Sequence, residues 1–458
     1  MKFGRIRRIH FVGIGGIGMS GIAEILSNYD LEISGCDLSA SENTDRMAER
    51  GIGVSIGHAP SHLEDIDLVV VSSAIRPNNA EIAEARERRI PVIRRAEMLG
   101  ELMRLKRGVA IAGTHGKTTT SAMTAEVLSG AGLDPTLIVG GVLLDLSSSA
   151  RLGAGELLVV EADEYDRSFL TLQPEIAVVT NIEIDHLDIY RDLEDIRGTF
   201  DEFLARVPFY GVVVGCSDDE LVDQLLSDLS KRVVRYGFGE DADVRGMNVR
   251  FEGGKTACDV TRDGETVGSI ELEVPGRHNL LNALAATAVG LELDVPFEKI
   301  RAGLADFRGV ERRFEILGEW QGAIVVDDYA HHPTEVRKTL EAARETYRDR
   351  KIVVIFQPHL FSRTRDFHED FAEALGVADQ AWVVPIYPAR EDPIEGVTSS
   401  LIVDSATRKG IGGVDILDED LDGVLEFIRN NLGEQSLVMT MGAGDIHEVG
   451  ERLVGGAL

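Results

Sequence analysis

The sequence predicts an α/β protein of three domains, and three observations carry that reading. At 458 residues the chain exceeds what one hydrophobic core supports, since a domain takes about 150 residues. Short apolar runs alternate with amphipathic stretches along its length, the pattern of parallel strands joined by crossover helices. Two glycine-rich turns, at residues 13–18 and 113–119, follow such runs directly and open helix-like segments, as phosphate-binding turns do.

Residues 1–107 form the first block, with Ile9–Val12, Leu31–Ser34 and Leu68–Val71 as its strands. The first strand runs into Gly13-Ile-Gly15-Gly16-Ile-Gly18, a full Gly-x-Gly-x-x-Gly, and Asp37 closes the second. Glycines there allow a tight turn and close backbone approach to a pyrophosphate, while the acid meets ligand hydroxyls. A glycine pattern alone can be a mere strand-to-helix turn. Strand, turn, helix and acid together favour a dinucleotide-type site.

The second block, 108–310, begins with Val109–Ala112 and then Gly113-Thr114-His115-Gly116-Lys117-Thr118-Thr119. Ile111 stands where the longer phosphate-loop pattern has its first Gly, so the loop begins at Gly113. Its backbone N–H groups and helix N-terminus suit triphosphate oxygens, Lys117 adds a point charge, and Thr118 can hold Mg²⁺. Strands Leu157–Val160 and Ile176–Thr180 end in Glu161 with Asp163 and in Asn181, Asp185 and His186. A hard cation shared by Thr118, Glu161 and ATP oxygens needs such oxygen ligands, and His186 could take a second ion. The competing reading makes these acids solvated loop residues and His186 a cap; Asp163 and Glu164 are left unassigned. Residues 233–274 read as β-hairpins, and Pro275–Asn282 opens an Ala-rich helix. His278, Asn279 and Asn282 could simply cap that helix. Asn side chains also match an adenine edge, which the triphosphate site requires somewhere.

The third block, 311–458, has strands Ala323–Asp327, Ile352–Phe356, Ala381–Pro385 and Leu437–Thr440. Asp327-Asp-Tyr-Ala-His-His-Pro333 ends one strand and Gln357-Pro-His-Leu-Phe-Ser-Arg-Thr364 ends another, both dense in His, Arg and Asp. Arg313, at the junction of blocks two and three, is either a surface charge or placed to reach a phosphate or carboxylate across a cleft.

Composition excludes several classes. A net charge of −31, from 78 acidic and 47 basic residues, argues against nucleic acid or an anionic membrane as partner. No apolar run nears the ~18 residues of a membrane span and no secretory pattern opens the chain, so a soluble, cytoplasmic protein is expected. Cys36, Cys216 and Cys258 suggest neither a disulfide framework nor a metal cluster.

Read together, Gly-Ile-Gly-Gly-Ile-Gly-Met-Ser-Gly, Gly-Thr-His-Gly-Lys-Thr-Thr, Glu-Ala-Asp-Glu, Thr-Asn-Ile-Glu-x-Asp-His, His-Asn-x-x-Asn and Asp-Asp-Tyr-Ala-His-His-Pro-Thr-Glu resemble the Mur ligases, in order and over nearly the whole chain. The resemblance implies a Rossmann-like UDP-sugar domain (1–107), a central ATPase domain (108–310) and a C-terminal Rossmann-like amino-acid domain (311–458). It implies ATP-driven amide formation between the lactyl carboxylate of UDP-N-acetylmuramate and L-alanine through an acyl phosphate, giving ADP and phosphate. Gly113 to Thr119 would hold the phosphates, Thr118, Glu161 and His186 the metal ions (Mg²⁺), and Asn279 and Asn282 the adenine. Gly13, Gly15, Gly16, Gly18, Asp37, Ser72, Ser73 and Ala74 would hold UDP rather than NAD. Tyr329, His331, His359 and Arg363 would line the alanine site, and Lys117, Arg313, His331 and Arg363 would be catalytic. Leu360 stands where several relatives carry a basic residue. A relative that attaches a tripeptide to the same sugar is the alternative within the family. The expected assembly is a monomer or weak homodimer. A dehydrogenase has no need of the second glycine loop, and a phosphate-loop switch leaves the outer blocks idle.

Overall fold

Runs of Val, Ile and Ala bury on both faces, and in the computed structural model they form the strands of three sheets; the structure describes residues 3–72, 74–76, 78–143, 148–185, 189–252, 254–389 and 391–455. The first sheet contains β1 (Arg8–Val12), β2 (Glu32–Asp37), β3 (Gly53–Ile56), β4 (Leu68–Val71) and β5 (Val92–Arg94). Its order is β3-β2-β1-β4-β5, with every neighbour parallel. Strand order reverses between β1 and β4, where the loops part and leave a crevice for ligand.

The second sheet takes β6 (Arg107–Ala112), β7 (Thr136–Leu143), β8 (Ser148–Arg151), β9 (Leu157–Glu161), β10 (Ile176–Val179), β11 (Val212–Cys216), β12 (Arg232–Gly237), β13 (Val244–Glu252), β14 (Lys255–Arg262) and β15 (Glu265–Leu272). Their order is β15-β14-β13-β12-β11-β10-β6-β9-β7-β8. β6 lies between β10 and β9, parallel to both, with Ile111 in register with Val178 and Glu161. The loops after these three strands therefore emerge at one edge. β7 and β8 pair antiparallel at the sheet's end.

The third sheet is built from β16 (Glu315–Trp320), β17 (Ala323–Asp328), β18 (Lys351–Phe356), β19 (Gln380–Val383), β20 (Val414–Ile416) and β21 (Ser436–Met441). The order is β16-β17-β21-β18-β19-β20, with β16 antiparallel to β17 and the other pairs parallel. By packing, the chain divides into two units: 1–248, 258–270 and 281–307 in one, 249–257, 271–280 and 308–458 in the other.

Several strand ends differ from the sequence reading by one to three residues, those of β2 and β19 among them. β2 continues past Ser34 to Asp37 because Gly35 leaves room for Ile14, whose side chain would stand 2.6 Å from a Cβ there. β19 stops at Val383, short of Pro385, which has no N–H to give the ladder. Among the described residues no helix is long and apolar enough to cross a membrane, and Cys36, Cys216 and Cys258 are buried thiols outside any disulfide.

Candidate functional site

β6 delivers Gly113 with φ of 135° and Gly116 with φ of 80°, conformations that L side chains avoid. A Cβ at 113 would run into the Thr180 hydroxyl, and one at 116 would lie 2.7 Å from Asn282 Oδ1. Gly116 is the N-cap of the helix Lys117–Gly130 and no side chain caps it, which leaves that helix N-terminus to an anion. Thr119 lies in its first turn. The turn is braced from the end of β10: Thr114 N donates to Asn181 O at 3.0 Å, His115 N to Asn181 Oδ1 at 2.8 Å and Asn181 Nδ2 to His115 O at 3.0 Å. Thr180 Oγ1 adds a 2.6 Å bond to His115 O. Asn282 Oδ1 accepts from Thr120 Oγ1 at 3.1 Å, which sets Asn282 against the same helix start. Asn279 is buried, its Nδ2 donating to Pro275 O at 2.7 Å.

Asn181→Ala removes both side-chain bonds to His115 and is expected to weaken nucleoside triphosphate binding by about 10–30-fold, the worth of two such bonds at ~1 kcal/mol each. Calorimetric titration checks this, and affinity within twofold of wild type would refute the brace.

Lys117 Nζ donates to Gly113 O at 2.6 Å, Thr114 O at 3.0 Å and Glu164 Oε2 at 2.8 Å. Burial opposes its charge, but Glu164, Asp163 and Glu161 outweigh burial and push it up to about 12. Glu164 is buried as well, and burial lifts its carboxyl to about 7 against the pull of Lys117. Tyr190 Oη donates to Glu164 O at 2.6 Å. Thr118 Oγ1 donates to Glu161 Oε2 at 2.9 Å, and Gly140 N donates to the same oxygen at 2.8 Å. The hydroxyl and carboxylate expected to share a cation are thus adjacent, and this all-oxygen pair fits a hard divalent ion. His186 lies outside the described residues.

At the first glycine loop, Gly13 has φ of 86°, and Gly13 N and Ile14 N donate to Cys36 O at 2.8 and 3.0 Å. Asp37 accepts from Gly15 N at 2.9 Å and from Leu38 N at 2.7 Å, so its carboxylate closes the turn. Ser72 follows β4 beside Gly13: a Cβ on that glycine would stand 3.4 Å from Ser72 Cβ. Ala74 N donates to Ser72 Oγ at 3.3 Å; Ser73 lies outside the described residues. A cavity of about 270 Å³ is walled by Gly16, Gly18 and Ser72 on one side and by Gly140, Glu161 and Asp163 on the other. Arg95 also lines it, with Nη2 3.8 Å from Asp163 Oδ2 and Nη1 3.0 Å from a Cβ built on Gly18. The sequence reading missed Arg95, since nothing in its spacing separates it from neighbouring Arg94.

In the second unit, Arg312 Nε donates to Asp327 Oδ2 at 2.9 Å and Arg312 Nη2 to Gly442 O at 2.7 Å, a clasp between β17 and the loop after β21. Arg312 and Arg313 lie 5.0 and 5.3 Å from the Tyr329 ring centroid, and Arg313 Nη1 reaches Glu335 Oε1 at 3.5 Å. Ring centroids link Tyr329 to His331 at 5.2 Å, His331 to His359 at 5.9 Å and His359 to Tyr387 at 5.8 Å. Three of the residues expected around the amino acid therefore cluster, with Tyr387 as a fourth that sequence reasoning did not find. Arg363 is buried in the first turn of the helix Phe361–Leu375. Leu360 turns the chain into that helix with φ of 71°, its N–H held by Tyr387 O at 3.0 Å.

Asp328 accepts from Phe314 N and Ala330 N, both at 2.8 Å. Burial lifts its carboxyl to about 6, against the pull of Arg313 and these two N–H groups. The folded value stands above the unfolded one of about 3.9. Its stabilising contribution is therefore complete below about pH 4 and is lost as pH rises through about 6. In Asp328→Asn the decline in unfolding free energy from pH 4 to 7 is expected to be shallower by about 3 kcal/mol. Denaturant titrations across that range check it; an unchanged slope refutes it.

Comparison with known proteins shows which family the chain belongs to. Residues 8–107 match the family model described as Mur ligase family, catalytic domain, residues 111–290 the Mur ligase middle domain, and residues 312–444 the Mur ligase, glutamate ligase domain. The chain is similar to the UDP-N-acetylmuramate--L-alanine ligase of Geobacter sp. (strain M21), 49% identical over 452 residues covering 99% of this chain and 98% of that one. It is also similar to the ligase of the same name from Salinibacter ruber, 49% identical over 98% of this chain and 95% of the relative. Among solved structures it resembles the UDP-N-acetylmuramate-alanine ligase MurC of Thermotoga maritima, with a TM-score of 0.83 and 32% identity over 98% of this chain and 99% of that one. The chain belongs to the Mur ligase family.

Proposed function

We propose that the chain joins L-alanine to the lactyl carboxylate of UDP-N-acetylmuramate, with ATP going to ADP and phosphate, in peptidoglycan precursor synthesis. The observation that carries the reading is the single cavity walled by the first glycine loop and by Glu161, whose carboxylate touches Thr118 of the phosphate loop. An acid held on the glycine loop would thus face the γ-phosphoryl end of the triphosphate. The full-length similarity to L-alanine ligases supports this substrate over the tripeptide.

A carboxylate is a poor electrophile. Transfer of the γ-phosphoryl to it gives an acyl phosphate, which the alanine amine attacks as phosphate leaves. Negative charge gathers in both steps, and in this reading Lys117 and Arg313 offset it. Mg²⁺, when bound at Thr118, Glu161 and His186, supplies further charge compensation on the phosphate oxygens. Asn279 and Asn282 hold the adenine, Gly113 to Thr119 the phosphates, and the Gly13 to Gly18 loop with Asp37, Ser72, Ser73 and Ala74 the UDP moiety. Tyr329, His331, His359 and Arg363 hold the amino acid, with His331 beside the amine and Arg363 pairing with the carboxylate. The three blocks 1–107, 108–310 and 311–458 each carry one substrate. The acidic chain acts in the cytoplasm without nucleic acid or membrane, as a monomer or weak homodimer.

An amino-acid panel tests the reading, with ADP formation measured in the presence of UDP-N-acetylmuramate. Release is expected to need both acceptors and to be fastest with L-alanine. Equal ATP hydrolysis with either acceptor omitted would overturn it, and turnover with the tripeptide alone would favour the alternative.

A further inference from the structure

We infer that His10, Cys36, His62 and Glu81 form a binding site for a zinc-like transition-metal ion at the base of the first glycine turn. The four donors come from separate elements: β1, β2, the 3-10 turn Pro60–Leu63 and the helix Ala80–Glu87. One ligand atom from each lies within 4.8 Å of all the others. Cys36 Sγ is 3.0 Å from Glu81 Oε2, His62 Nδ1 is 2.7 Å from Glu81 Oε1, and His10 Nε2 is 3.5 Å from Glu81 Oε2. A tetrahedral shell with bonds of about 2.0–2.3 Å has ligand-to-ligand edges of about 3.3–3.8 Å. Side-chain shifts on the order of 1 Å would therefore seat an ion.

Three features set this group apart from a hydrogen-bonded cluster. His10 is 2% exposed, and its Nε2, which faces the other donors, makes no well-formed hydrogen bond among the described residues, its nearest partner being Glu81 Oε2 at 3.5 Å. Its other nitrogen, Nδ1, is fixed by Ser34 Oγ at 2.9 Å, the outer-shell contact that orients a ligating imidazole. Cys36 and Glu81 are fully buried, and as thiolate and carboxylate they would neutralise a divalent ion in a site that water hardly reaches. Burial alone would raise the Glu81 carboxyl, but His10, Cys36, Ala59 N and His62 around it hold it down at about 2. His58 Nδ1, 3.2 Å from Cys36 Sγ, stands by as a fifth donor. One sulfur, two imidazoles and one carboxylate suit a borderline-soft ion and disfavour Mg²⁺ or Ca²⁺. Cys36 O accepts from Gly13 N and Ile14 N, so an ion here would stiffen the turn from below. This site is separate from the Thr118 and Glu161 pair and does not depend on the proposed reaction.

The test uses the full chain, stripped with chelator and titrated with Co²⁺ as the spectroscopic probe. One equivalent is expected to bind with thiolate-to-cobalt charge-transfer absorption and the visible bands of tetrahedral Co²⁺, and Zn²⁺ should displace it and raise the thermal midpoint. Cys36→Ser is expected to abolish the charge-transfer band. His62→Gln, which alters a side chain nearer the surface and carries the test should Cys36→Ser fail to fold, is expected to weaken Co²⁺ binding by at least about 100-fold. Absence of the thiolate band in the unaltered chain, its persistence in Cys36→Ser, or unchanged affinity in His62→Gln would overturn the proposal.

Discussion

Replacing Lys117 with Ala is expected to lower the rate of ADP formation by at least about 1,000-fold, while UDP-N-acetylmuramate affinity stays within twofold of wild type. The ammonium is the buried cation of the phosphate loop, and at rest it bridges Gly113 O, Thr114 O and Glu164. In the proposed reading its loss removes charge beside the γ-phosphate, and it touches none of the groups that shape the first glycine loop. Glu164 would then be left buried without this cation. A Lys117→Ala, Glu164→Gln double variant removes that burden, and its thermal midpoint separates lost chemistry from lost fold. Turnover within tenfold of wild type, or UDP-sugar binding lost along with turnover, would contradict the arrangement.

Glu161→Gln is expected to cost at least about 100-fold in kcat/KM and to raise the Mg²⁺ concentration for half-maximal rate by tenfold or more. Gln keeps an oxygen for Thr118 Oγ1 and Gly140 N, both of which now meet Glu161 Oε2, but it removes the negative charge. The substitution therefore isolates the electrostatic part of the role. A Mg²⁺ titration of ADP release reads it directly. An unaltered Mg²⁺ dependence would show that the carboxylate serves only to pin the loop.

The two glycine turns were legible because their causes are local. Gly13, Gly113 and Gly116 occupy left-handed backbone conformations, and an apolar strand before them with a helix after them is visible in a window of twenty residues. The brace by Asn181 was only half visible. Its place at a strand end could be read, but its grip on His115, 66 residues away, depends on β10 lying beside β6. Arg95 was hidden for the same reason: only folding sets it between Gly18 and Asp163. β16 escaped because its antiparallel edge position leaves Glu315, Gly318 and Glu319 within the run, which breaks the hydrophobic pattern. Cys36 read as part of neither a disulfide framework nor a metal cluster, since His10, His62 and Glu81 come from elements that no sequence spacing connects. Leu360 read as a missing base, whereas its backbone makes a corner with φ of 71°, a role independent of its side chain.

The wall shared by the first glycine loop and Glu161 has a thermodynamic corollary. In the proposed reading, with a diphosphate on one side and a triphosphate on the other, two polyanions approach a surface that already carries Glu161 and Asp163, and Arg95 is the one cationic side chain among its described lining residues. Without a divalent counter-ion each ligand should antagonise the other, and with one the same pair should bind synergistically. Heterotropic coupling that changes sign with Mg²⁺ follows from where a single carboxylate stands.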